Sequence, residues 1–189
     1  DPYDPQQSAE FFEPLWMFDQ SLADGFNIII GNPPYISVER FAGTPDQARW
    51  KNAFTTYAAR GDIYCFFYER GAALLRPGGT LAFITSNKWM RAGYGEKLRE
   101  FLSRKVNTHS VLDFGMAQNF GAATTYTCIT RFSADKPDGG IMSCYATDDL
   151  AAMADPAGYF EANAVQQESL TSEPWVVLPK QRQRIKERV

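Results

Sequence analysis

Four consecutive residues, Asn32-Pro33-Pro34-Tyr35, close the apolar run Phe26-Asn27-Ile28-Ile29-Ile30-Gly31 and offer hydrogen-bond acceptors with almost no donors. Neither proline has a backbone N–H, so this stretch of main chain presents carbonyls only. Asn32 adds a side-chain carbonyl and Tyr35 a flat ring. Such a set suits a planar group bearing an exocyclic NH₂, whose two hydrogens need two acceptors and whose ring needs a stacking surface. Asn-Pro and Pro-Pro are also ordinary turn dipeptides, so a strand-ending turn without chemistry is the competing reading.

The elements that must position this turn follow from periodicity. The three isoleucines before it predict a strand buried on both faces, as in a parallel sheet covered by helices. A short helix is expected over residues 8–18. Residues 37–61 read as an irregular loop whose slight basic excess (Arg40, Arg49, Lys51 and Arg60 against Glu39 and Asp46) suits a path over nucleic acid. Asp62 is a plausible N-cap for a helix carrying Tyr64, Phe67, Ala72, Leu74 and Leu75, ended by Arg76-Pro77-Gly78-Gly79. A strand over 80–86, an amphipathic helix over 93–105, and strands over 110–114, 125–132 and 141–145 complete the pattern. This alternation predicts a doubly wound α/β sheet, mostly parallel, with an antiparallel strand pair at one edge across residues 117–123. Three segments result: a lead-in over 1–25, a main unit over 26–145, and a connecting region over 146–189 that ends in a helix.

Composition narrows the function. A chain of 189 residues with 44% apolar and 22% charged content can build one substantial core. Cys65, Cys128 and Cys144 show no metal-type spacing and His109 is the one histidine, so no metal site is expected. Unpaired cysteines fit a reducing compartment, with the cytoplasm as the expected location. There is no apolar run long enough to span a bilayer. A net charge of −3 argues against a dedicated nucleic-acid-binding module, apart from the basic stretch Lys180 to Arg188, which reads first as a solvated helix or linker. The chain opens on Asp1-Pro2-Tyr3-Asp4-Pro5 and is expected to be a piece of a longer protein.

With the elements in place, the chain resembles the N6-adenine DNA methyltransferases of the gamma class and the restriction-modification and phage-defence methylases related to them. Gly31-Asn32-Pro33-Pro34-Tyr35 resembles their catalytic motif. Gly61-Asp62-Ile63-Tyr64-Cys65-Phe66-Phe67 is similar to the helix start whose aromatic residue packs on the cofactor adenine, which implies Phe67 for that role. The segment from Leu75 to Trp89 resembles the next strand and its exit loop, and Gly93 to Leu102 the helix after it. Asn119-Phe120 sits where the family places an aromatic residue against the flipped base. The similarity covers residues 26–132 well, which makes 26–145 the catalytic half of a methyltransferase domain and 146–189 a connection toward a target-recognition domain.

The resemblance implies S-adenosylmethionine as cofactor, with Phe67 and Asn32 against it, and double-stranded DNA with a flipped adenine as partner. Asn32, Pro33, Pro34 and Tyr35 are then the catalytic set, and Tyr35 with Phe120 the stacking pair. Departures also matter. The glycine-rich turn and acidic residue that hold the cofactor in the family have no counterpart before Asn32. Val111-Leu112-Asp113-Phe114-Gly115-Met116-Ala117-Gln118-Asn119 begins like that turn but lacks its glycines, so it reads as a strand end. The isolated chain is therefore expected to be inactive, to bind cofactor weakly, and to self-associate through an open strand edge at residues 26–31. Two other readings stay open: a protein-glutamine methyltransferase, which uses the same motif on a side-chain amide, and a catalytically silent methylase-like subunit that binds DNA or partners.

Overall fold

Apolar strands that must share one hydrogen-bonded layer organise the molecule. The computed structural model describes residues 22–115, 126–147, 149–167 and 171–180. The expected helix over 8–18, residues Asn119 and Phe120, and the basic stretch from 181 onward lie outside these residues. Six strands form one sheet in the order β1-β2-β4-β3-β5-β6: β1 (Phe26–Gly31), β2 (Leu75–Ser86), β3 (Asn107–Asp113), β4 (Thr127–Ser133), β5 (Ile141–Tyr145) and β6 (Val165–Gln167). β1 runs parallel to β2 and β3 parallel to β5, while β4 is antiparallel to both β2 and β3, and β6 to β5. Four of the six strands thus point the same way, and the reversed β4 sits inside the sheet rather than at its border. The sheet also runs on past residue 145, through β6.

One face of the sheet is fully dressed. Helices α2 (Tyr64–Leu74) and α3 (Glu96–Arg104) lie with Leu81, Phe83, Val111 and Phe132 in one core that also takes in Tyr64, Tyr68, Leu98, Leu102 and Trp89. Gly71 lets α2 sit close to β2: a Cβ there would collide with a Leu81 methyl. The other face carries a smaller core of Leu112, Phe114, Cys144, Ala146 and Ala152, beneath α4 (Asp149–Ala154) and α5 (Pro156–Asn163).

The expected burial of β1 on both faces is corrected by its position. Among the described strands β1 is terminal, and Ile28 and Ile30 are 64% and 78% exposed while Ile29 packs on the main core. Alternation at period 2 puts these two isoleucines on the face that the described helices do not reach. Residues 37–61 are more ordered than the sequence suggested. A 3₁₀ turn (Val38–Phe41) leads to α1 (Pro45–Ala53), capped by the Thr44 hydroxyl with proline at its start. The Thr-Pro-Asp-Gln signal for that cap was present, but α1 buries no residue fully, so its apolar stripe is weak. Asp62 is not the N-cap of α2; Ile63 holds that position without a side-chain cap, and the Asp62 carboxylate instead accepts from the Tyr94 hydroxyl.

Candidate active site

β1 ends at Gly31, opposite Phe83 of the parallel β2, so Asn32 leaves the sheet at the carboxyl ends of both strands. That is where open α/β sheets hold their ligands. Asn32 and Pro34 are exposed and Pro33 is buried. No hydrogen bond within the described residues engages the Asn32 amide. The turn is held by what comes next: Ile63 N–H donates to Ile36 O at 2.9 Å, and Val38 N–H donates to Gly61 O at 2.9 Å. This short bridge between Ser37 and Asp62 ties the turn to the start of α2.

Tyr35 is half-buried. Its hydroxyl donates to Ile84 O at 3.3 Å, long for an O–H···O bond, so packing does most of the holding. The edge of its ring meets Tyr64 with centroids 5.9 Å apart and planes at 80°. Burial, with a smaller push from Cys128, raises the Tyr35 phenol to about 12, so it stays neutral at any working pH. Tyr64 in turn shares a 2.8 Å hydrogen bond with the Tyr94 hydroxyl, and burial pushes both of these phenols well above their ordinary value. Three tyrosines thus run from the proline turn toward the loop after β2.

That loop is a 3₁₀ turn (Asn87–Met90) whose Trp89 and Met90 are buried and Asn87 half-buried, leaving Lys88 and the following Arg91 on the outside. Its backbone is pinned from below by Arg99 of α3, only 3% exposed. The guanidinium donates to Trp89 O at 2.6 Å, Ala92 O at 2.9 Å and Ser172 O at 2.8 Å. Gly95 is required at the same point, because a Cβ there would collide with Trp89 O. Trp175 adds a backbone bond to Met90 O at 2.8 Å and an edge contact on Trp89. The loop borders a cavity of about 490 Å³ that Tyr94, Gly115 and Tyr126 also line.

Of the residues proposed from sequence, Asn32, Pro33, Pro34 and Tyr35 share one turn at the strand ends. Phe67 lies on α2 and is 42% exposed between the buried Phe66 and Tyr68, an aromatic ring without a full packing partner. Phe120 lies outside the described residues; Gly115 and Tyr126, on either side of its segment, both line the cavity. Sequence reasoning missed Arg91, Tyr94, Arg99 and Asp113. Arg99 had one usable signal: it falls beside Leu98 and Leu102 on the inward face of an amphipathic helix, where an unpaired cation has no place unless carbonyls receive it. Asp113, set aside as a strand end, accepts from Asn87 Nδ2 at 2.7 Å and Gly115 N–H at 2.9 Å.

Among the described residues, no group of side chains could hold a metal ion, and no helix is long and apolar enough to cross a membrane. The model of the Eco57I restriction-modification methylase family matches residues 3–120. The Escherichia coli type II restriction enzyme and methyltransferase RM.Eco57I is 30% identical over 155 residues, which is 80% of this chain and 15% of that protein. Among solved structures, the ATP-dependent type ISP restriction-modification enzyme LlaBIII bound to DNA matches 80% of the chain with a TM-score of 0.60 at 17% identity, over 12% of its own length. The methyltransferase subunit of a type I restriction-modification system from Streptococcus thermophilus matches 74% of the chain and 32% of its own, with a TM-score of 0.54 at 16% identity.

Proposed function

The chain belongs to the Eco57I restriction-modification methylase family, and we propose that it carries the centre that methylates the N6 amino group of an adenine turned out of duplex DNA. One observation carries this reading. The Asn32 amide and the proline carbonyls stand at the carboxyl ends of β1 and β2, unengaged within the described residues, beside a neutral, fixed Tyr35 ring.

The amino nitrogen of adenine is a poor nucleophile because its lone pair is delocalised into the ring. The Asn32 side-chain carbonyl and the Pro33 carbonyl accept its two hydrogens, favour the pyramidal form and localise the lone pair. The same acceptors stabilise the positive charge that grows on nitrogen during attack. Tyr35 stacks on the base, which an enzyme of this type must extrude from the helix to reach. Phe120 closes the other face. No general base is needed, since the alkylated ammonium releases its proton to water.

S-adenosylmethionine, the cofactor this family implies, would supply, when bound, a methyl group activated on a sulfonium. Phe67, exposed on α2, would pack on its adenine, and Asn32, exposed at the strand end, would border it. Cys65, Cys128 and Cys144 are all free and buried, which suits a reducing cytoplasm.

The test is Asn32→Ala in the complete protein carrying this chain, scored by transfer of labelled methyl to adenine in duplex DNA. Methylation should fall by about 10²–10³ while DNA and cofactor binding persist, because the lost contact strengthens toward the transition state. Activity within a few-fold of the parent would reduce Asn32 to a turn residue. Transfer to a glutamine peptide and not to DNA would move the site to amide methylation.

A further inference from the structure

The cavity two rings away from the proline turn is charged in one sense. Among the described residues its lining includes Lys88 and Arg91 and no acidic side chain. Both cations belong to the same 3₁₀ turn and its cap, three residues apart, a spacing that eclipses side chains on one face. Lys88 is exposed, with no acidic partner among the described residues. Arg91 has one neighbour of opposite charge, Asp113, with Nη2 and Oδ2 3.8 Å apart. That separation is too long for a hydrogen bond, so the pair is held by charge and leaves the guanidinium N–H groups available.

Asp113 itself is 1% exposed, and its other oxygen is taken by Asn87 and Gly115. It anchors Arg91 from beneath without closing its fork. Asn87 donates from Nδ2 to both Asp113 Oδ1 and Gly115 O, which forces its amide orientation and turns its carbonyl the other way. The chain as a whole carries a net charge of −3, so two open cations beside one cavity stand against the general balance. The path to the proline turn is short: Tyr35 meets Tyr64 edge-on, and Tyr64 bonds Tyr94 on the cavity wall.

We propose that this cavity is a phosphate subsite in which Lys88 and Arg91 grip the phosphodiester flanking the extrahelical adenine, with Asp113 as the positioning residue for Arg91. The inference rests on the reading of the proline turn as the adenine site. It deepens that reading by fixing the flipped nucleotide at both ends, base and backbone. Bidentate donors on a phosphate match what an arginine fork does best.

The experiment uses the complete protein and duplexes in which single phosphates around the target adenine are replaced by neutral methylphosphonates. With the parent protein, one linkage adjacent to the adenine weakens binding and slows methylation more than its neighbours do. The exposed double substitution Lys88→Gln/Arg91→Gln makes the plot of log affinity against log salt shallower by about 0.9 for one lost phosphate. It also abolishes the sensitivity to that linkage. Arg91→Lys restores most of the salt slope but not the linkage selectivity. Asp113→Asn keeps both cations and hence the slope, and blunts the selectivity. The proposal is overturned if the double variant and every neutral linkage act independently. It is equally overturned if the variant loses affinity for S-adenosylmethionine with the salt slope unchanged, since the cavity then holds the cofactor's carboxylate. Failure of the underlying reading looks different: the parent protein then methylates no adenine in any duplex.

Discussion

The turn at Asn32 and the loop from Asn87 to Tyr94 leave the sheet at the same end, from the neighbouring strands β1 and β2, yet they are built on opposite principles. The turn owes its chemistry to covalent structure: two prolines remove donors from the main chain whatever surrounds them. Its support is light, a two-residue bridge to the start of α2 and a strand whose outward isoleucines are bare. The loop has no such local rule. Its outward cations stand where they do because Arg99, Gly95, Trp175 and Asp113 hold the backbone and one side chain from inside the fold. A chemically stiff turn can sit on a thin scaffold, whereas a loop of ordinary residues needs a buried one.

Arg99→Met tests that contrast most strongly. It leaves three carbonyls without their charged donor, so unfolding by denaturant should show a loss of about 3 kcal/mol or more. A loss below about 1 kcal/mol would mean the loop is held locally as well. Smaller, and directed at the turn, are Tyr35→Ala and Phe120→Ala. Each should weaken binding of an extrahelical base by about 1–3 kcal/mol with little effect on the surrounding duplex. The readout is 2-aminopurine at the target position, whose emission is quenched by ring contact in the site. Phe114, 4% exposed in the second core, is the control: its substitution should act through stability alone. If Phe120→Ala lowers the melting temperature yet leaves the base signal and methylation unchanged, Phe120 is a core residue.

The smallest effect is electrostatic and lies away from both regions, at the far end of the sheet. Burial, and then the charge of Arg131, lower the His109 pKa from 6.5 in the fold, partly opposed by Asp138 and Asp135. The unfolded chain therefore binds the proton more readily. The stability this contributes is present above pH 6.5 and is lost as the pH falls through the lowered folded value. His109→Gln should flatten the acid side of the stability profile in that window. An unchanged slope would assign it to the carboxylates.

Much of the fold was legible because its signals are local. Strands β1 and β5 fall where their apolar runs end, and α3 where Leu98 and Leu102 recur at helical spacing. The reach of β2 back to Leu75 was not legible, because Arg76-Pro77-Gly78-Gly79 reads as a turn; the chain bulges there and still pairs, Phe26 with Leu75 and Ile28 with Thr80. Nor was the bareness of Ile28 and Ile30, since a row of isoleucines looks the same in a central strand and at an edge. The sequence by itself determined a donor-free acceptor turn after a strand, because proline chemistry travels with the residue. Only the tertiary structure decided that Arg99 points inward, that Asp113 lies under Arg91, and that three tyrosines join the turn to a cationic cavity. Those relations cross 7 to 73 residues of chain, from Arg99 and Ala92 to Arg99 and Ser172, and no local periodicity encodes them.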